Sequence, residues 1–266
     1  MSIGTNLKET ELKACERIVF PVDTTDLVRA KALVDMLKGH VGMFKFGLEF
    51  FWAMTAHLMT LEIEQAQQHL LLAREVISKA GRFFVDCKLA DIPNTVVGAA
   101  VAIARLGCKF LNVHASAGQR ALLDAVTNTR GTCKVLGVTV LTSMTSTECC
   151  SVFGAEPNQK VLQFCDMILD AGAAGVICSP QELAVIRNEP RFNPLLLVTP
   201  GIRPEWAATG DQKRVMTPRQ AFTAGADYIV CGRPISSPPE EIGGPLKATS
   251  LIASEIEQGL ADSGRA

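Results

Sequence analysis

Residues 82–95, RFFVDCKLADIPNT, carry Asp86, Lys88 and Asp91 directly behind an apolar run that should be heading into a core. Side chains two apart in a strand point the same way, so Asp86 and Lys88 share one face and Cys87 takes the other. If that face is the interior of a barrel, both charges sit at its mouth, and Asp91 falls at the start of the following loop. Ile92-Pro93 and Asn94-Thr95 then suit a turn and the opening of a helix. A salt bridge that merely closes the barrel end is the plain alternative. Buried pairs are weak stabilisers and costly to build, whereas clustered, partly buried charges with perturbed pKa values favour a functional site.

A second group lies near the C-terminus. VTPGIRPEWAATGDQKRVMTP follows the seventh of eight apolar runs, and IVCGRPI contains the end of the eighth. Barrels often bind phosphate with the loops after these two strands. Gly232 offers an unshielded backbone N–H, and Arg233 a planar, permanently charged fork suited to a phosphoryl group. The Gly-punctuated loop 201–216 has the length of a mobile lid. Together these features point to a phosphorylated small-molecule substrate. Asp23 and Lys45 are placed to bind substrate hydroxyls or to pair with each other. Thr142 and Ser143, in VLTSM, could hydrogen-bond a base edge or simply cap their strand. His114, in NVHA, reads as a hydrogen-bonded barrel residue outside the site.

Such residues need a scaffold that brings distant segments together. Short β-rich apolar runs occupy 18–23, 43–47, 83–88, 110–114, 134–141, 175–179, 195–199 and 228–232. Between them lie helical patterns such as TDLVRAKALVDMLKG and NTVVGAAVAIARLG, apolar at i, i+3 and i+4 and ending in Gly. Alternating strand and helix imply a parallel sheet, and eight units in 266 residues fit an α/β fold of the (β/α)8 TIM-barrel class. An open doubly wound sheet shows the same alternation, but no G-x-G-x-x-G follows the first run. Most runs also end in a polar residue, as barrel enzymes require. The expected organisation is a single barrel domain over 1–266, with an N-terminal extension at 1–16. The connection 53–80 carries a long or doubled helix, and 238–266 forms a loop and closing helix.

Composition narrows the function classes. Formal net charge is −1, so no global basic field would collect nucleic acid or acidic membrane. The 6% aromatic share argues against stacking platforms for single strands. Nine cysteines show no C-x-x-C pair and no zinc spacing, which fits reduced thiols in a cytoplasmic protein. The N-terminus has no apolar h-region, and the longest apolar stretches stop well short of the roughly 18 residues of a membrane span.

FVDCKLADIPNT resembles the D-x-K-x-x-D-I-P-N-T signature of the orotidine 5′-phosphate decarboxylases. FPVDTTD, FKFGLEFF, LNVHASAG, VLTSM, LLLVTPGIRP, GDQKRVMTP and IVCGRPI occur in that family's order, so the resemblance covers roughly 17–236. It implies decarboxylation of orotidine 5′-monophosphate to uridine 5′-monophosphate, in a stand-alone enzyme that uses neither cofactor nor metal. Lys88 would be the proton donor, Asp86 would face the departing carboxylate, and Lys45 and Asp91 would complete an alternating charge array. Family members are homodimers, so Asp91 and Thr95 would serve the partner subunit's ribose. Asp23 and Lys45 would bind ribose within the chain, Thr142 the pyrimidine amide, and Arg203, Gln212, Gly232 and Arg233 the phosphate. Cys87 departs from the usual aliphatic residue, and Pro21 is unusual within a first strand. A sugar-phosphate decarboxylase or aldolase of the same suprafamily would need an extra carboxylate for magnesium, which is not evident after Lys45. A catalytically silent nucleotide-binding barrel is the third reading, and the full set of matched charges weighs against it.

Overall fold

The computed structural model describes residues 12–207 and 215–265, in which eight parallel strands close into a barrel in sequence order. They are β1 (Ile18–Pro21), β2 (Met43–Gly47), β3 (Phe83–Leu89), β4 (Phe110–His114), β5 (Lys134–Val138), β6 (Gly175–Ile177), β7 (Leu196–Thr199) and β8 (Tyr228–Val230). β8 pairs with β1 through Ile18↔Ile229 and Val19↔Val230, so the sheet has no free edge. The (β/α)8 expectation therefore stands. Every strand is found where its apolar run lies, but several stop early. β5 ends at Val138 rather than continuing to 141, and its neighbour β6 supplies only three residues for pairing. β1 stops at Pro21, which has no N–H to offer the β8 side, although the Val22 N–H still bonds the Lys45 carbonyl at 2.9 Å.

Alternation along the strands divides the apolar residues into two cores. Ile18, Phe20, Phe44, Phe46, Val85, Leu111 and Ile229 point outward and pack under the helices. Val19, Met43, Phe84, Phe110, Leu136, Ile177, Val198 and Tyr228 fill the interior. Phe84 and Tyr228 both stack edge-on against Phe110, with centroids 6.2 and 5.7 Å away. This plug matters for the site because it closes the barrel below the mouth. Moving up the inner face, Met43 gives way to Lys45, Phe84 to Asp86, and Phe110 to Asn112 and His114.

The helices start where the local chemistry allows. Asp26 caps Leu27–Leu37 by accepting from the N–H groups of Val28 and Arg29. Pro93 opens Pro93–Ala104, and Thr145 with Glu148 forms a capping box before Ser146–Phe153. The long connection is two helices, Leu48–Thr60 and Ile63–Ala80, and the tail is a short turn followed by Pro245–Asp262. Of the expected extension at 1–16, residues 1–11 lie outside the described residues, while Leu12 is buried against the interior plug. Among the described residues, no helix is long and apolar enough to cross a membrane.

At the base of the barrel, Asp227 gathers four separate segments. Its carboxylate accepts from Arg187 at 2.6 Å, from the Leu197 N–H at 2.8 Å and from Arg265, and its backbone carbonyl accepts from Arg17. Burial lowers the pKa of the Arg187 guanidinium and the charge of Arg265 adds to that, while Asp227 opposes both. All nine cysteines are free thiols, and Cys178 and Cys231 are fully buried as small apolar groups.

Candidate active site

The charged layer begins with a break in strand pairing. β3 and β4 are in register at Val85↔Leu111 and again at Leu89↔Val113. Asp86, Cys87 and Lys88 therefore oppose Asn112 alone. Lys88 sits at φ +47°, the single non-glycine residue with positive φ among those described, a conformation that costs any residue bearing a Cβ. Asp86 and Lys88 do both reach the mouth, but a bulge, not simple alternation, puts them there. Cys87 packs toward the outer core instead.

Asp86 is the hub. Its Oδ2 lies 2.9 Å from Lys45 Nζ and its Oδ1 lies 2.7 Å from Lys88 Nζ. Oδ1 also accepts from the Asn112 amide at 2.7 Å. Burial raises the Asp86 pKa, but the ammonium groups of Lys45 and Lys88 more than offset this and hold it at about 2. Lys45 is buried as well. Burial pushes its pKa down, Asp86 and Asp23 push it up, and the net shift is upward. Both groups are thus charged at neutral pH, and Lys45 reaches on to Asp23 at 3.4 Å.

These residues line a cavity of about 280 Å³. Thr142, Gly201, Arg203, Gly232 and Arg233 join them from the loops after β5, β7 and β8. Four cationic side chains against two carboxylates leave the lining at a formal +2, which suits a multiply anionic small molecule. Arg203 is buried and donates to the Ile202 carbonyl at 2.8 Å, while Arg233 is exposed at the rim. Gly232 is needed for its size: a Cβ there would meet Pro21 Cγ at 2.7 Å, so the unusual proline of β1 packs against the glycine.

Asp91 and Thr95 are not in this cavity. Both are exposed and line a separate groove with Cys87, Lys88, Leu89 and Ala99, which adjoins the cavity at Lys88, and Asp91 accepts from the Ile92 N–H at 2.7 Å. Gln212 lies outside the described residues. His114 bonds Ser116 Oγ at 2.7 Å, and burial followed by the nearby Lys88 charge lowers its pKa.

Sequence reasoning missed Asn112. It is 1% exposed, and its amide oxygen accepts from the Lys88 N–H at 2.6 Å while its nitrogen holds Asp86. The available signal was its spacing in FLNVH: Phe110, Asn112 and His114 share the inward face, so a polar group was due below His114.

A closed eight-stranded barrel with buried, mutually paired charges at the C-terminal strand ends is the architecture of a barrel enzyme acting on a small molecule. Comparison with known proteins narrows the class. A profile of the orotidine 5′-phosphate decarboxylase / HUMPS family matches residues 16–241. An orotidine 5′-phosphate decarboxylase of Moorella thermoacetica is 38% identical over 92% of this chain and 94% of its own length. One from Paramagnetospirillum magneticum is 40% identical over 85% of this chain and 95% of its own. Among solved structures, the orotidine 5′-phosphate decarboxylase of Lactobacillus acidophilus superposes with a TM-score of 0.69 at 28% identity, covering 90% of this chain and 98% of that one. The chain belongs to the orotidine 5′-phosphate decarboxylase / HUMPS family.

Proposed function

We propose that this chain decarboxylates orotidine 5′-monophosphate to uridine 5′-monophosphate in pyrimidine synthesis, in the cytoplasm, with its own side chains supplying the chemistry. The observation that carries the reading is the array Lys45–Asp86–Lys88, with contacts of 2.9 and 2.7 Å, in a cavity that Arg203 and Arg233 also line.

Loss of carbon dioxide leaves an electron pair on a ring carbon with no good route for delocalisation. A preorganised cation in a low-dielectric site stabilises that charge as it develops, without reorganisation during the reaction. Lys88 is such a cation and is also an acid: its ammonium passes a proton to the carbon as the carbon–carbon bond breaks, and the amine regains a proton from water afterwards. Asp86 lies against the departing carboxylate, and the like-charge stress leaves with carbon dioxide. Lys45 balances Asp86 and, with Asp23, binds ribose hydroxyls. Thr142 reads the pyrimidine amide. Arg203, Gln212, Gly232 and Arg233 hold the phosphate, whose remote binding energy supports the chemical step. No cofactor or metal takes part. Orotidine 5′-monophosphate supplied to protein treated exhaustively with chelator is expected to turn over at the untreated rate; a loss restored by magnesium would sink this account.

Asp91 and Thr95 act in a neighbouring copy of the chain, in a homodimer. Their exposure, and their position outside the cavity of their own barrel, support this. Mixing Lys88→Ala and Asp91→Ala chains tests it. Each mixed dimer contains one site with both residues intact, so random pairing restores roughly a quarter of wild-type specific activity. Mixed dimers without activity would return Asp91 to its own chain's site.

A further inference from the structure

We propose that Asn112 is a positioning residue for the reaction, locking the β3 bulge that aims Asp86 and Lys88 into the cavity. A bulge leaves backbone groups without ladder partners, and a buried one must be satisfied in some other way. Here the Lys88 N–H finds a side chain in place of a strand carbonyl, the Asn112 amide oxygen at 2.6 Å. The other half of the same amide donates to Asp86 Oδ1 at 2.7 Å, the atom that also pairs with Lys88 Nζ at 2.7 Å.

One planar group therefore fixes the backbone of the lysine and the carboxylate that orients its ammonium. The two bonds also set the direction of the amide, because oxygen and nitrogen have distinct partners. Asn112 is 1% exposed, so its contacts are not shared with solvent. The positive φ of Lys88 is a conformation its surroundings must enforce, and the Asn112 bond is applied at that residue's own N–H. Val113 and Leu89 resume the ladder immediately beyond, which confines the distortion to the three residues opposite Asn112.

This inference rests on Lys88 as proton donor, so Lys88→Ala is measured alongside. Asn112→Ala is expected to lower kcat about 100-fold, the usual cost of a small misplacement of reacting groups. KM changes by less than about threefold, because the phosphate and ribose contacts lie elsewhere. Asn112→Asp keeps an acceptor for the Lys88 N–H but sets a carboxylate against Asp86. The two acids then share a proton, and the acid limb of the kcat–pH profile moves to higher pH. A purely structural role would lower stability while leaving kcat of the folded alanine variant at the wild-type value. Folded Asn112→Ala with kcat within about threefold of wild type overturns the proposal, as does an Asn112→Asp profile that superposes on wild type. If the alanine variant does not fold, the isosteric aspartate decides. An active Lys88→Ala chain would instead overturn the parent reading.

Discussion

Lys88→Ala is expected to abolish turnover, by about 10⁴-fold or more, while the protein stays folded and binds uridine 5′-monophosphate within about tenfold of wild type. The size follows from the two roles placed on one ammonium. A positioned general acid contributes about 10²–10⁴ in rate, and preorganised charge at the reacting atom adds about 10²–10³. Binding survives because Arg203, Arg233 and Gly232 reach the cavity from other strands. Single-turnover assays against calorimetric binding give the comparison, and an alanine variant retaining a tenth of the rate would end Lys88's proposed role. Lys88 also carries a backbone cost, since a side chain at φ +47° is strained by about 1–2 kcal/mol. Lys88→Gly should therefore be inactive yet more stable than Lys88→Ala by about 1 kcal/mol in urea unfolding.

The largest stability effect is expected far from the chemistry. Asp227→Ala removes a carboxylate that holds both Arg187 and Arg265, and it deprives the Leu197 N–H of its acceptor. Breaking a buried pair from one side costs about 3–5 kcal/mol, because the remaining charge is left uncompensated. This cluster is only partly buried, with Arg265 about one-third exposed, which places the expected loss below that range, about 2 kcal/mol. Asp227→Asn keeps an acceptor for Leu197 and should recover part of it. Activity per folded site should be unchanged, because Asp227 precedes β8 at the end opposite the mouth. A urea midpoint shift worth less than about 1 kcal/mol would show that the arginines find other partners.

The barrel was legible because its strands are short apolar runs with polar ends, separated by helices with clear starts and stops. Those are local signals, and local signals survive in a single sequence. The pair Asp86–Lys88 was legible for the same reason, as charge two residues apart inside an apolar run. The bulge was not, since DCK contains no glycine to announce a positive φ. Asn112 was hidden because a lone amide in a strand has many readings until the opposite strand is in place. The Asp227 cluster joins residues 30 to 210 positions apart, a pairing that no window along the chain reveals. Strand ends were the least legible, because they depend on how far a neighbour continues, as with β5 beside the three-residue β6.

Asp227 also says something about topology. Arg17, just before β1, and Arg265, beyond the final helix, are tied to the same residue, and that helix packs on the Ala14–Arg17 turn. The first and last of the described elements thus meet at the β8–β1 seam, and the path through the described residues is nearly a ring. Its fold is specified by the cyclic order of eight strand–helix units, with no unit privileged as the start. A chain joined between those two ends and reopened in a loop at the base would trace the same ring, with the charged mouth untouched.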